Sequence, residues 1–231
     1  MNGFFDQSGA LKEFAGAAPL FPLPNLVAFP YGLIPLHIFE GRYRQMIADA
    51  LAGNRLMVLA RLREGHEDLY HTREAPIYQT ACLGKIAAPQ ELPDGRYCLV
   101  FEGLVRVSIE EEITSEVPYR VAKLKLHKDR HRFSPGFDAS LQTRRLLEIC
   151  KNHLAGKFDL KPLMTILGTD VKLGPLCDLI AHLCSFSLER KQTLLEEFSV
   201  EKRSQRLMLC LQQLLSEELA KDAGRPPFSQ N

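Results

Sequence analysis

A histidine, a carboxylate, an arginine and a tyrosine fall close together early in the chain and could do acid–base chemistry. They are His37, Glu40, Arg42 and Tyr43, in the stretch IPLHIFEGRYRQMI at 34–47. A histidine beside a carboxylate can act as a general base, but catalysis also needs a nucleophile, a metal or a phosphate-binding loop. The stretch changes from an apolar strand to a helix, so we interpret His37, Glu40 and Tyr43 as structural. Glu40 is expected to accept amide hydrogens at the start of the helix.

The remaining motifs that could carry chemistry fail on their spacing. HEDLYH at 66–71 places its histidines five residues apart, whereas a zinc-binding pair on one helical face needs i and i+4. Neither GxxxxGK[ST] nor GxSxG occurs. Six cysteines are scattered through apolar runs without a CxxC pair, which is typical of reduced cysteines in a cytoplasmic protein. The sequence therefore predicts no catalytic residue, no metal and no cofactor.

Charge and hydropathy narrow the class of partner. The formal net charge is +1, so no overall field attracts nucleic acid or anionic lipid. The sequence has one basic cluster, KLKLHKDRHR at 123–132, which we interpret as a solvated strand running into a charged loop. No run of apolar residues is long enough to span a membrane, and the first residues lack the pattern of a signal peptide.

Periodicity divides the chain into a strand-rich part and a helical part. Residues 42–52 repeat apolar side chains at helical spacing, and Gly53-Asn54 follows as a stop signal. The proline-bounded segment at 20–30 is expected to form a short strand near a sheet edge. The almost wholly apolar run LMVLARL at 56–62 is expected to form a central strand, and Asp138 and Ser199 are expected to cap later helices. The expected divisions are a flexible N-terminus at 1–18, a strand-rich subdomain at 19–132, a helical bundle at 133–222 and a disordered tail at 223–231.

Four stretches carry a resemblance to a known family. PLFPLPNLVAFPYGLIPLHIFEGRYRQMI at 19–47 resembles the opening of the N-terminal, substrate-binding domain of the Lon protease family. Later parts of that domain are similar, in the same order, to CLGKIAAPQELPDGRYCLVFEGLVRVSIEEE from Cys82, PYRVAKLKL at 118–126 and LGPLCDLIAHLCSFSLERKQTLLEEFSVEKRSQRL at 173–207. The resemblance implies a stand-alone Lon N-terminal-like protein without the ATPase and protease modules. The implied fold is α+β, with a PUA-like small β-barrel and an early helix followed by a C-terminal helical bundle.

The resemblance implies a polypeptide-binding or adaptor module that is not an enzyme. From their predicted exposure, we expect the polypeptide to contact Phe29, Tyr31, Arg42, Arg44 and Gln45. The implied partners are unfolded or tagged polypeptides, a larger ATP-dependent protease and a second copy of the chain. Neither nucleic acid nor a membrane is an expected partner.

Three alternatives of other classes stay open at this point. A pocket between barrel and helices would make the protein a reader of a small molecule or a covalent mark. The basic strand at 123–132 could bind RNA, with binding that falls steeply as salt rises. An enzymatic activity would need a reacting group that the motifs do not reveal.

Overall fold

Six strands and six helices make up the parts of the chain that the computed structural model describes, residues 7–150 and 171–223. The strands are β1 (Ala17–Leu23), β2 (Leu33–Ile38), β3 (Leu56–Arg61), β4 (Thr80–Glu91), β5 (Tyr97–Ile113) and β6 (Arg120–His127). The helices are α1 (Gln7–Lys12), α2 (Gly41–Ala52), α3 (Ala139–Ile149), α4 (Leu173–Leu183), α5 (Leu188–Glu196) and α6 (Val200–Ala223). A short 3₁₀ helix spans Glu67–His71. Apart from its first residue, the predicted disordered tail at 223–231 lies outside the described residues.

The six strands form one sheet in the order β2-β5-β4-β3-β1-β6, and β5 also pairs with β6. The pairings of five strands therefore run in a ring from β5 through β4, β3, β1 and β6 back to β5. The 17 residues of β5 allow this, because its first half pairs with β2 and its second half with β6. Among the pairings of these six described strands, only that of β1 with β3 is parallel. One apolar cluster takes residues from all five strands of the ring, including Leu20, Val58, Leu83, Val107 and Leu124.

β1 lies inside the sheet, so the expectation of an edge strand at 20–30 is wrong. The strand pairs with β6 through Ala17–Leu20 and with β3 through Leu20–Leu23. Each of these neighbours therefore pairs with only about half of β1. Pro19 and Pro22 are each next to a single partner strand, so the missing proline N–H does not interrupt two ladders.

Helix α2 confirms the sequence-based prediction in position and face. Its buried residues are Tyr43, Met46, Ile47 and Ala50, which repeat at the spacing of one helical face. They pack on the sheet beside Phe21, Met57 and Phe101. Gly53 ends the helix, and its N–H donates to the carbonyls of Asp49 and Ala50.

Helices α3 to α6 share a second hydrophobic core, which also contains residues from the strand-rich part of the chain. Asp138, Ser187 and Ser199 cap α3, α5 and α6 by accepting amide hydrogens two or three residues into each helix. The predicted caps at Asp138 and Ser199 are thereby confirmed. Val27 and Phe29, from the segment between β1 and β2, are buried in this helical core. The two halves of the chain are therefore interlocked.

Two arginines and two aspartates form a buried ionic network that joins the sheet to the helices. Arg106 of β5 donates from Nη1 to Asp178 Oδ2 of α4 at 2.8 Å. Arg203 of α6 donates to Asp129 Oδ2 at 2.6 Å, and its Nε lies 3.2 Å from Asp178 Oδ1. Arg106 also lies 3.6 Å from Asp129. The side chains of Arg106, Asp178 and Arg203 are at most 3% exposed. Each charge has therefore lost its contact with water and is stabilised instead by the opposite charges beside it.

Candidate functional site

The cluster at the start of α2 is a set of hydrogen bonds that fixes the corner between β2 and α2. Glu40 accepts from Arg42 Nε at 3.0 Å and from the hydroxyl of Tyr70 at 2.8 Å. Arg42 also donates to the carbonyl of Tyr70 at 2.9 Å and lies over the ring of Tyr43. Burial raises the pKa of Tyr70 above its ordinary value, and the bond to Glu40 raises it further. The geometry thus supports the structural interpretation of Glu40 and Tyr43.

The predicted capping role of Glu40 is wrong in its detail. Glu40 does occupy the N-cap position of α2, but its side chain accepts no hydrogen bond from the helix amides. The carboxylate is directed to Arg42 and Tyr70 instead, because a guanidinium and a phenol are stronger partners for a half-buried carboxylate than a backbone amide.

His37 stands apart from this cluster. It is exposed in β2, opposite Cys98 of β5, and its ring centroid lies 6.2 Å from that of Phe39. Phe39 is itself 62% exposed. His37 therefore lies within strand β2 and not at the bend between β2 and α2.

Removing the bonds to Glu40 is expected to destabilise the fold moderately. Glu40→Ala, Arg42→Ala and Tyr70→Phe should each lower the free energy of unfolding by about 1–2 kcal/mol, since hydrogen bonds to charged groups are lost. Urea denaturation measures the effect. Gln45→Ala on the exposed face of α2 is the control. If an Arg42 or Glu40 variant kept its stability but lost polypeptide binding, the cluster would be a recognition site.

The five predicted polypeptide contacts are dispersed. Phe29 is fully buried, so its predicted exposure is wrong, because the side chain is taken up by the core of the helical half. Arg42 is engaged as described above. Arg44 donates to the carbonyl of Asp94 at 3.1 Å, and Gln45 is exposed and bonded to Asp49. Tyr31 is half-buried, in the turn that leads into β2.

That turn is held against β5 by a glycine. The N–H of Tyr31 donates to the carbonyl of Gly103 at 2.8 Å, and the N–H of Gly103 donates to the carbonyl of Gly32 at 2.9 Å. A Cβ at Gly103 would lie 2.0 Å from the carbonyl oxygen of Phe29, so no larger residue fits. Tyr31 has a φ of 65°, in the left-handed region that few side chains adopt. The close approach sets the path of the chain into β2.

A groove of about 430 Å³ opens between this segment and the α4–α5 corner. Its apolar lining includes Leu26, Val27, Leu33, Ile34, Phe186 and Leu188. Three consecutive residues of β2, Leu33 to Pro35, line it. Because consecutive strand residues point to opposite faces, the groove runs beside the backbone of the strand. β2 pairs only with β5 among the described strands, so the groove lies at an edge of the sheet.

Two basic side chains, His182 and Lys191, also line the groove. Lys191 Nζ donates to the carbonyl of His182 at 3.0 Å. The imidazole of His182 forms a hydrogen bond with the backbone of Leu33. Burial lowers the pKa of both side chains from their ordinary values, and Lys191 lowers that of His182 further. The groove therefore combines an apolar lining with one half-buried ammonium group.

A serine and a histidine that the sequence could not bring together are in contact elsewhere. Ser108 Oγ lies 2.7 Å from His127 Nε2, and the ring of His127 stacks on Phe198 at 4.3 Å. A nucleophile–base pair would also need a group to orient the base. Within the described residues, no carboxylate accepts a hydrogen bond from this ring. We interpret the contact as a tie between β5 and β6.

Solved structures with the same fold come from Lon proteins. The Lon N-terminal domain protein from Xanthomonas campestris superposes with a TM-score of 0.57 at 19% identity, over 84% of this chain and 97% of that one. The N-terminal domain of Mycobacterium avium complex Lon protease gives a TM-score of 0.64 at 14% identity, over 85% and 98%. At these identities the likeness establishes the fold, which is that of a Lon N-terminal domain.

Sequence comparison assigns the family. The model of the ATP-dependent protease La (LON) substrate-binding domain matches residues 17–213, and the chain belongs to this family. The Lon protease of Trichlorobacter lovleyi is 29% identical over 184 residues, which are 77% of this chain but 21% of that protein. The Lon protease of Dictyoglomus thermophilum is 27% identical over 198 residues, 85% and 24% of the two lengths. The chain thus spans only a minor part of these relatives.

The family match confirms the resemblance drawn from the sequence. None of the helices in the described residues is both long and apolar enough to cross a membrane.

Proposed function

We propose that this protein binds segments of unfolded or tagged polypeptides in the groove between β2 and the α4–α5 corner. The observation that carries the proposal is the apolar lining of that groove at an unpaired sheet edge. Exposed apolar side chains with a polar rim are the usual means of holding an extended or disordered chain. The family's description as a substrate-binding domain supports the same function.

We also propose the domain architecture and the partners that were expected from the sequence. The ring of strand pairings and its shared apolar interior support a small, PUA-like barrel at 19–132, with a helical bundle at 133–222. The Lon proteases it resembles suggest that a larger ATP-dependent protease receives the bound polypeptide. We propose that the protein acts without catalysis of its own. A second copy would increase its affinity for long chains by avidity.

The position of the groove changes which of the five predicted residues we assign to the polypeptide-binding surface. Tyr31 stays in the proposed surface because its turn leads directly into β2. Arg44 and Gln45 lie on α2 and form a separate candidate face. Phe29 supports the groove from the core.

Polar substitutions in the groove are expected to weaken polypeptide binding. Leu26→Gln and Leu188→Gln should each raise the Kd for a labelled, permanently unfolded protein about fivefold or more, because apolar contacts at the centre of an interface dominate its energy. Fluorescence anisotropy measures the change, with a folded protein as negative control and melting curves as a check on folding.

Matched variants locate the binding surface. Leu209→Gln is the control, since Leu209 is 59% exposed on α6 and does not line the groove. Gln45→Ala tests the α2 face. A loss of binding in Gln45→Ala or Leu209→Gln, with none in the groove variants, would contradict the proposed site. Binding that vanished at moderate salt would instead favour the basic strand at 123–132.

The second candidate function, recognition of a small molecule or a covalent mark, would use the same groove. Its volume lies within the range of ligand sites, roughly 300–1,000 Å³, and it lies between sheet and helices as that hypothesis requires. Competition between a small ligand and the unfolded probe would identify this function.

A further inference from the structure

Lys191 is the feature of the groove that polypeptide binding in general does not explain. It lies one helical turn after Leu188 on α5 and lines the groove. Its one hydrogen bond in the described residues goes to the neutral carbonyl of His182. No carboxylate forms an ion pair with it in the described parts of the chain. Arg106 of β5 and Arg203 of α6, which are buried more completely than Lys191, both have aspartate partners.

The position of Lys191 is unfavourable for an ammonium group without a counter-ion. Burial lowers the pKa of Lys191, which means that its charged form has lost solvation. Charged groups in apolar surroundings are retained when something pairs with them. His182 cannot do so, because it is basic and its ring is bonded to the backbone of Leu33 and packed against Gly32.

We propose that the groove selects apolar polypeptide segments that carry an aspartate or glutamate side chain, whose carboxylate pairs with Lys191. This inference rests on the proposed function and specifies its substrate class. Charge complementarity supports it, since the lining described contains a lysine and a histidine but no acidic residue. Asn25 at the exposed rim offers a further hydrogen-bond donor for the same carboxylate.

The geometry favours an internal acidic side chain over the carboxylate at a chain end. The groove runs beside the backbone of β2 and is lined by Leu33, Ile34 and Pro35 in succession. A chain that lies along this strand rises about 3.3 Å per residue and passes Lys191 with residues on both sides.

The test uses three labelled nine-residue peptides of leucine, valine and serine that differ at one position or one end. The first has a central glutamate and an amidated end. The second has glutamine instead. The third has glutamine and a free C-terminal carboxylate. By anisotropy, the glutamate peptide is expected to bind about tenfold more tightly than the glutamine peptide, since a charge-assisted hydrogen bond replaces a neutral one.

Variants of Lys191 assign the preference to this side chain. Lys191→Met should make the affinities for the glutamate and glutamine peptides equal, whereas Lys191→Arg should keep the preference. Lys202→Met, at an exposed lysine of α6, is the matched control and should also keep it. Melting curves check that each variant is folded, and the arginine variant keeps the test valid if the methionine variant does not fold.

Each outcome of the peptide experiment tests a different part of the proposal. Equal binding of the glutamate and glutamine peptides to the unmodified protein would overturn the acidic preference and leave polypeptide binding intact. Tightest binding of the third peptide would overturn the internal side chain as the source of the carboxylate. Failure of all three peptides and of the unfolded probe to bind would overturn the proposed function itself.

Discussion

Asp178→Ala is expected to lower the free energy of unfolding by about 3–5 kcal/mol, because it removes the nearest counter-charge of buried Arg106 and leaves two buried arginines with one aspartate. Asp178 accepts from Arg106 at 2.8 Å and lies 3.2 Å from Arg203 Nε, so its removal leaves Asp129 as the one counter-charge that both arginines share within the described network. Urea denaturation followed by circular dichroism measures the loss. A change in the slope of the transition would show that the two halves no longer unfold together.

A surface ion pair provides the comparison. Glu111 and Lys123 are bonded at 2.7 Å across β5 and β6, but both are largely exposed. Glu111→Ala should change stability little, because exposed pairs are solvated and screened by salt. If the Asp178 and Glu111 variants were equally stable, the buried network would not be what holds the sheet to the helices.

Gly103→Ala is expected to be the other severe substitution. The added methyl group would meet the carbonyl oxygen of Phe29 at 2.0 Å, and the strand or the turn must move. Overpacking costs about 1–3 kcal/mol and occasionally more, and here it also disturbs two backbone hydrogen bonds and the burial of Phe29. We expect a loss of about 3 kcal/mol or more, measured by denaturation, and weaker binding of the unfolded probe.

Gly41→Ala is the matched control. A Cβ there meets nothing within 4 Å, and Gly41 is the first residue of α2. Alanine is the better helix former, so this variant should be as stable as the original protein or more so. Loss of stability in both variants would contradict the contact with Phe29 as the cause, because the effect of alanine on the unfolded chain is stabilising.

Local patterns predicted the elements of this fold well. The face of α2, the caps at Asp138 and Ser199 and the buried strand β3 all depend on residues close in sequence. The apolar period and the chemistry of capping determine them directly. The family resemblance was also recognisable, because it depends on short motifs that follow one another in order.

Non-local contacts account for what the sequence did not predict. Glu40 could not be assigned its true partner, because Tyr70 is 30 residues away. Phe29 is apolar and flanked by prolines, a pattern that fits a surface loop as well as a core. The groove is formed by one stretch at 25–35 and another at 182–191, and no periodicity links them. The segment that follows β1 was the one available signal, since its apolar residues Leu26 and Val27 lie outside any regular element.

The interlocking of the two halves has a consequence for how the chain folds during synthesis. Arg106 bonds to an aspartate 72 residues later, and Phe29 packs against helices that follow it by more than half the chain. Contacts of such long range close late, because their loop entropy must be overcome first. A nascent chain therefore displays Phe29 and an uncompensated Arg106 until α4 has left the ribosome. During that interval the protein resembles the unfolded chains it is proposed to hold, and chaperones that recognise exposed apolar segments would bind it.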